Sequence, residues 1–274
     1  MRKFKDSLFR TLFWLSAIIT VTILVIIIGY IFTKGYKLVS WDFIFGAYVP
    51  GEKSGIYPMI ISTLYTIALT LAIATPIGIL AAVYLQEYAK QGPVVKIIRF
   101  ATESLSGIPS IIYGLFGALF FVTYLKFNYS ILAGALTLSI MVLPLIIRTT
   151  EEAIQSVPPS YKEASLALGS TRFQTLYKII VPSAMPGVLA GVILAIGRII
   201  GESAAVYLTA GTVAVMPKNI MSSARTLTVH AYLVTNEFGD IELASAIGVV
   251  LIVIVFFLNY FARFIIKSFS KANY

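Results

Sequence analysis

The stretch "MIISTLYTIALTLAIATPIGILAAVYL" occupies residues 59–85 and contains no charged side chain. A helix rises 1.5 Å per residue, so about 20 apolar residues are enough to cross the hydrocarbon core of a bilayer. A transmembrane barrel would instead show segments of about ten residues with alternating polarity. The stretch therefore predicts a membrane-spanning α-helix and an all-α integral membrane protein.

The composition of the whole chain supports this class. The 274 residues are 58% hydrophobic and 12% charged, with a mean hydropathy of +0.90, whereas a soluble domain carries about 25% charged residues. The chain has no cysteine, which excludes disulfides and thiolate chemistry. Further apolar runs bring the predicted number of transmembrane helices to six, and they lie at 12–32, 97–122, 131–147, 187–210 and 243–266.

The lysines and arginines predict how the six helices are oriented. With the amino terminus in the cytoplasm, fourteen of them fall on the cytoplasmic side and six on the other. This asymmetry follows the positive-inside rule and predicts that both termini are cytoplasmic. The net charge of +9 is then explained by topology, so a nucleic-acid partner is not expected. We expect residues 1–58 to form a retained first helix with an outer loop, and 59–274 a five-helix core.

A polar segment, "KEASLALGSTRFQTLYKIIVP" at 162–182, interrupts the apolar chain on the predicted cytoplasmic side. Ser160 and Glu163 have the spacing of a capping box for a short helix, 161–168. Gly169 suits the left-handed residue that ends a helix, and Ser170 could cap a second helix that runs to about Val181.

The second helix should turn one apolar face to the bundle, while a small polar knuckle faces away from it. The apolar face comprises Phe173, Leu176, Tyr177, Ile180 and Val181, and the knuckle comprises Ala164, Ser165, Ala167, Gly169 and Ser170. An amphipathic interfacial linker is the alternative interpretation.

The polar segment resembles the EAA motif of bacterial ABC importer permeases. Glu163, Ala164, Gly169, Ile179 and Pro182 match the motif at its spacing, while Ser165 and Val181 depart from it mildly. The resemblance implies the MetI-like type I importer fold and a coupling helix at about 160–170 that docks on a separate ATPase. The implied docking residues are Glu163, Ala164, Ser165, Leu168, Gly169 and Ser170. This chain has no G-x-x-x-x-G-K-[ST] loop, so ATP and Mg are expected on the partner ATPase and no cofactor in the chain.

Two charges stand inside an apolar run, in "GRIIGESAAVYLTAG" at 197–211. Arg198 and Glu202 are four residues apart, on one face of a helix. Counted from Gly187, Arg198 lies about 16 Å along the helix, near the bilayer midplane, where a charge costs at least roughly 2.5 kcal/mol. Arg198 and Glu202 could form an ion pair that neutralises itself and only fixes helix packing. Alternatively, Arg198 could line an anion pathway, with Glu202 lowering its affinity enough for the anion to leave. Glu103, near the cytoplasmic face, is not predicted to belong to that pathway.

The same stretch resembles the phosphate-specific ABC permeases, which carry Arg-x-x-Gly-Glu-[ST] at this position, and the Ala-Ala after Glu202 resembles the PstA type. The resemblance implies import of inorganic phosphate by alternating access across the bacterial cytoplasmic membrane. The implied partners are a PstC-like permease, two PstB-like ATPase subunits and a PstS-like phosphate-binding protein outside. Another oxyanion, of the sulfate or molybdate type, is the alternative substrate.

Two functions from other protein classes have less support in the sequence. An intramembrane serine protease would use Ser203 and His230, but Ala-Ala follows Ser203 where a G-x-S-x-G motif would continue. A channel or secondary transporter works without an ATPase, so the capped knuckle counts against this function. We therefore expect a transport subunit without catalytic or metal-binding residues.

Overall fold

The computed structural model describes residues 2–49, 55–90 and 92–271, and over these ranges the only regular secondary structure is helical. Five helical segments are long and apolar enough to cross a membrane, and a bent pair of helices makes six if the pair is counted as one span. With the pair so counted, each of the six predicted spans has a helical counterpart. The α-helices are α1 Arg2–Gly35, α2 Trp41–Phe45, α3 Tyr57–Val83, α4 Pro93–Ser106, α5 Ser110–Gly117, α6 Ile131–Gln155, α7 Pro159–Ala167, α8 Arg172–Thr175, α9 Val181–Gly201, α10 Ala204–Thr209, α11 Leu227–Phe238 and α12 Ile241–Lys271.

Helices α3 and α6 form the centre of the bundle. Ser139 on α6 donates its hydroxyl to the Thr70 carbonyl at 3.2 Å, so the two helices approach closely there. At Gly78 an added Cβ would lie 2.6 Å from a methyl group of Ile146. Small residues that allow such close approach are typical of helix packing inside membranes. A π-helical turn, Tyr84–Tyr88, extends α3 beyond Val83.

The third predicted span, 97–122, is a bent pair of helices rather than one straight helix. The structure divides it into α4 and α5, which are bent by 100° relative to each other, and α5 continues in a π-helical turn, Ala118–Tyr124. Pro109 occupies the N-cap of α5 with ψ 138°, an extended value that a helix cannot contain. The Tyr113 hydroxyl donates to the Leu105 carbonyl at 2.7 Å and ties the two arms together. The break is therefore a fixed corner.

The fifth predicted span, 187–210, is wrong at both ends. Its helix begins far earlier, because α8, a π-helical turn Leu176–Ile180 and α9 form one helical segment, Arg172–Gly201. The predicted stop before Pro182 does not occur, since that proline follows the π-helical turn and sits in the first turn of α9, where a missing N–H does little harm. At the other end the helix stops at Gly201, and α10 begins only at Ala204.

Contacts between the helix ends define two ends of the bundle. Lys162 on α7 forms an ion pair with Glu87 at the carboxyl end of α3, so α7 lies at that end, here called the α7 end. The Leu227 N–H donates to the Thr63 hydroxyl at 3.0 Å near the start of α3, which places α11 at the opposite end, the α11 end. Helix α1 lies outside this core, where Gly35 fits closely against the Ser245 backbone of α12.

Candidate functional site

A cleft of about 370 Å³ opens between α4, α6 and α9. Six of its lining side chains are charged, and we call it the arginine cleft after three of them. The charged lining residues are Arg99 and Glu103 from α4, Arg148, Glu151 and Glu152 from α6, and Arg198 from α9. Ser106, beside the corner between α4 and α5, also lines it. The cleft therefore combines charged side chains with apolar ones such as Met141 and Leu145.

The packing of α9 on α6 shows how deep Arg198 lies. Gly187 lies against Ala153 and Gly191 against Thr149, so the two helices run antiparallel. The same alignment brings Arg198 level with Met141, which also lines the cleft. Gln155, at the carboxyl end of α6, lines the cleft fourteen residues further on, about 21 Å away along the helix. The cleft therefore extends from the α7 end to a deep end at Arg198.

Two of the three arginines in the cleft are already ion-paired. Arg99 Nη2 lies 3.2 Å from Glu151 Oε1, and Arg148 Nε lies 3.1 Å from Glu152 Oε1. Within the part of the chain that the structure describes, the guanidinium of Arg198 has neither a hydrogen bond nor an ion pair. The deep end of the cleft thus presents an uncommitted, exposed cation beside apolar residues such as Met141.

Glu202 does not pair with Arg198 in this structure, contrary to the prediction. The helix ends at Gly201, and Glu202 adopts an extended backbone with ψ 123°, so the spacing of four residues no longer places both on one face. Glu202 Oε1 instead accepts the Ala205 N–H at 3.0 Å, and the Glu202 carbonyl accepts the Thr228 hydroxyl at 3.0 Å. Glu202 is therefore held at the break, where it caps the start of α10.

Glu103 lines the same cleft as Arg198, although the sequence gave little reason to place it there. The sequence also offered no signal for the Arg99–Glu151 pair, whose members are separated by 52 positions. The sequence of α4 indicates only that Arg99 and Glu103, four residues apart, share one helical face. Their partners on α6 could be identified only from the tertiary structure.

The predicted knuckle between the fourth and fifth spans is present as α7, a tight turn and α8. Gly169 has a φ of +85°, and a Cβ added there would meet nothing within 4 Å. The left-handed conformation, rather than space, is therefore what favours glycine at this corner. Leu168, Ala164 and Glu163 are exposed, with Leu168 at 87%. The knuckle therefore projects an apolar side chain, Leu168, from its corner.

The local details of the knuckle differ from the prediction in two ways. Pro158 occupies the N-cap of α7 without a side-chain cap, so Ser160 and Glu163 form no capping box. The capping box is made instead by Thr171 and Gln174 at α8, with Thr171 in the role predicted for Ser170. Thr171 has the extended backbone of an N-cap residue, with φ −71° and ψ 158°.

Ser165 belongs to the interior of the knuckle rather than to its exposed surface. It is buried, and its hydroxyl lies 2.9 Å from the Thr175 hydroxyl, which joins α7 to α8. The predicted bundle-facing surface is also only partly correct. Leu176 and Ile180 are buried, whereas Phe173 and Tyr177 are exposed and stack on each other with ring centroids 6.4 Å apart. These two rings leave an aromatic surface beside the knuckle.

The protease alternative lacks its essential contact. His230 is buried, with its ring edge against Tyr48 and its Nδ1 3.3 Å from Arg225 Nη1. Burial, and then the Arg225 charge, lower the pKa of His230 from 6.5 to about 4. In the described ranges no hydrogen bond joins this imidazole to Ser203, so the pair has no nucleophile–base geometry. The same ranges hold no group of three His, Asp or Glu that could bind a metal.

Comparison with known proteins identifies relatives over nearly the whole chain. A family model described as binding-protein-dependent transport system inner membrane component matches residues 74–271. The probable ABC transporter permease protein YqgI of Bacillus subtilis is 38% identical, with 96% of each chain covered. The phosphate transport system permease protein PstA of Pasteurella multocida is 34% identical, with 98% of this chain and 97% of the relative covered.

Solved structures share the fold at lower identity. A bacterial ABC transporter involved in import of the acidic polysaccharide alginate matches with a TM-score of 0.66 at 15% identity, covering 98% of this chain and 99% of that one. The MetNI methionine ABC transporter, in an inward-facing conformation, matches with a TM-score of 0.61 at 19% identity, covering 78% and 94%. These likenesses confirm the predicted all-α, MetI-like permease fold.

Proposed function

This chain belongs to the family of binding-protein-dependent transport system inner membrane components, and we propose that it is the PstA-type permease subunit of an ATP-driven importer of inorganic phosphate. It is a multi-pass transport subunit, not an enzyme, and its family works with an ATPase and a binding protein. The relative of Pasteurella multocida is a phosphate transport permease, which supports phosphate over a sulfate- or molybdate-type oxyanion as the substrate.

The observation that carries the proposal is the uncommitted guanidinium of Arg198 at the deep end of the arginine cleft. A planar guanidinium presents paired N–H donors that match the oxygens of a phosphate. The cations nearer the α7 end are neutralised by Glu151 and Glu152, so an anion that leaves Arg198 meets weaker attraction on its way out. A pathway along which the attraction weakens lets the anion leave instead of remaining bound at Arg198.

Glu202 has a different role from the predicted counter-ion. Because its carboxylate caps α10 at the break after Gly201, it fixes the end of the helix that carries Arg198. In the proposed cycle Glu202 holds the geometry of the pathway, and Arg198 contacts the anion. A broken helix lined by polar groups is tolerated within a membrane where it faces protein or a watery path.

The proposed ATPase contact is the exposed corner of the knuckle, with Glu163, Ala164, Leu168, Gly169 and Ser170 at its surface. Ser165 supports that surface from inside through its contact with Thr175. ATP and Mg would bind to the partner ATPase. The full assembly would contain a PstC-like permease, two PstB-like ATPases and an outer PstS-like phosphate-binding protein. The α7 end and both termini would then lie in the cytoplasm.

The test of the pathway is phosphate uptake by the reconstituted complex of both permeases, the ATPase and the binding protein. Arg198→Ala should abolish uptake while the complex still assembles, because the only uncommitted cleft cation among the described residues is lost. Arg263→Ala removes an exposed cation of α12 outside the cleft and serves as the matched control. Normal uptake by Arg198→Ala would refute the pathway role.

The test of the knuckle is copurification of the ATPase together with substrate-stimulated ATP hydrolysis. Ala164→Glu places a charge on the exposed surface, and Gly169→Val forces a branched residue into φ +85°. Both should detach or uncouple the ATPase. A variant complex that is recovered intact and still hydrolyses ATP in response to loaded binding protein would contradict this assignment. Ser203→Ala should leave transport largely unchanged.

A further inference from the structure

A series of polar contacts joins the knuckle to the arginine cleft through the π-helical turn Tyr84–Tyr88. We propose that Gln86 and Glu87 on this turn are positioning residues that transmit movement of α7 to the Arg99–Glu151 pair of the cleft. The proposal rests on the proposed function, since it concerns how the partner ATPase changes the anion pathway. It assigns a role to two residues that bind neither the anion nor the ATPase.

The first contact in the series is between α7 and the turn. Lys162 Nζ lies 2.5 Å from Glu87 Oε2, and the Glu87 side chain is only 16% exposed. Leu166 of α7 and Arg172 of α8 line a small groove beside this pair, together with Glu87 itself. Any displacement of α7 must therefore either carry Glu87 with it or break an ion pair whose carboxylate is largely buried.

The second contact is between the turn and the cleft. Gln86 Oε1 accepts Gln155 Nε2 at 3.0 Å and Arg99 Nη2 at 3.5 Å, and Arg99 Nη2 also reaches Glu151 Oε1 at 3.2 Å. Gln86 thus bridges α4 and α6 at the end of the cleft nearest α7. The buried Arg99 Nε has no partner among the described residues. This guanidinium therefore has a further N–H that can donate a hydrogen bond if the neighbouring side chains move.

The backbone of the turn couples the two contacts. Neighbouring residues of a helix point in different directions, so Glu87 can face α7 while Gln86 faces α4 and α6. A rotation of the turn that follows Lys162 necessarily turns Gln86 relative to Arg99. π-Helical turns occur frequently at functional sites and mark a shift in hydrogen-bond register, and this one lies where the regular helix α3 ends.

The energetics favour a transmitting role over a purely stabilising one. Ion pairs with exposed members contribute about 0–1 kcal/mol each, and Lys162 and Arg99 are 44% and 37% exposed. Contacts of this strength add little to stability, so their removal should leave the fold intact. Arranged in series between α7 and the cleft, they specify relative position more than they add stability.

The absence of cysteine from the chain allows a direct distance measurement. Lys96→Cys on α4 and Ser156→Cys just after α6 are exposed positions for two spin labels that flank the Arg99–Glu151 pair. In the complete complex in lipid, the distance between the labels would be compared without nucleotide and with ADP and vanadate trapped on the ATPase. We expect a nucleotide-dependent change in the otherwise unaltered complex and in Glu237→Gln, an exposed carboxylate of α11.

Glu87→Gln and, independently, Gln86→Leu should remove most of that change while the ATPase still copurifies. They should also lower the phosphate transported per ATP roughly threefold. The exchange of charges in Lys162→Glu with Glu87→Lys should restore the change, which a loss of folding would not. A full nucleotide-dependent change in Glu87→Gln and Gln86→Leu would overturn the proposal, as would failure of the exchanged pair in an assembled complex. Because the distances need no phosphate, an otherwise unaltered complex without phosphate uptake would refute the proposed function separately.

Discussion

The glycines of α9 provide a matched pair for testing how tightly this helix packs on α6. A Cβ at Gly191 would lie 2.7 Å from the Thr149 Cβ and closer still to its hydroxyl, whereas a Cβ at Gly197 would meet nothing within 4 Å. Replacing glycine by alanine in a helix interior gains about 1 kcal/mol of helix propensity at either site. Overpacking should cost Gly191→Ala about 1–3 kcal/mol in addition. Rotation of Thr149 cannot relieve the clash, because its Cβ is involved.

The propensity gain is common to both variants, so their difference isolates the steric cost. We expect Gly197→Ala to raise the free energy of unfolding slightly and Gly191→Ala to lie about 1–3 kcal/mol below it. The measurement is reversible unfolding of the chain in mixed detergent micelles. If the two variants agree within about 0.5 kcal/mol, the close approach of α9 and α6 is not a constraint and the reasoning fails.

Three further outcomes are expected. Since burial and the Arg225 charge lower the pKa of His230 to about 4, the unfolded chain takes up this proton first as the pH falls. Stability should therefore drop by roughly 3 kcal/mol between about pH 6.5 and 4, and His230→Asn should flatten that part of the unfolding profile. Thr171→Ala removes a capping box and should lower the free energy of unfolding by about 1 kcal/mol, with an unchanged value counting against the cap. Ser165→Ala leaves the buried Thr175 hydroxyl without this partner and should weaken ATPase copurification; undiminished recovery would show that the contact does not support the knuckle.

The sequence was sufficient for the fold class and the number of spans, because both depend on long apolar runs. It could not show which proline changes the path of the chain. Pro76, Pro144 and Pro186 all lie inside helices, whereas Pro109 stands at a corner of 100°. The residue type is the same in each case, and the surrounding packing decides the result. Local pattern alone therefore places a proline within a span without saying whether the span bends.

Features of the candidate site that depend on neighbouring residues could be predicted from the sequence, and features that depend on distant residues could not. Gly169 was identified as a left-handed corner from the residues next to it, and the structure confirms that conformation. The Arg198–Glu202 pairing failed because it assumed that the helix continues past Gly201, which no local residue forbids. Contacts such as Arg99–Glu151 join distant parts of the chain, and a single sequence contains no record of them.

The continuous helix Arg172–Gly201 has a mechanical consequence. It begins with α8 of the knuckle and carries Arg198 near its far end, so under the proposed function a push on the knuckle would tilt the whole segment. From Ser183, just past the π-helical turn, to Arg198 is about 22 Å, and a tilt of about 5° would sweep the guanidinium through roughly 2 Å. That distance is enough to make or break a hydrogen bond to an anion. The stiffness of this helix would therefore determine how much of a small displacement at the knuckle reaches Arg198 and releases the anion.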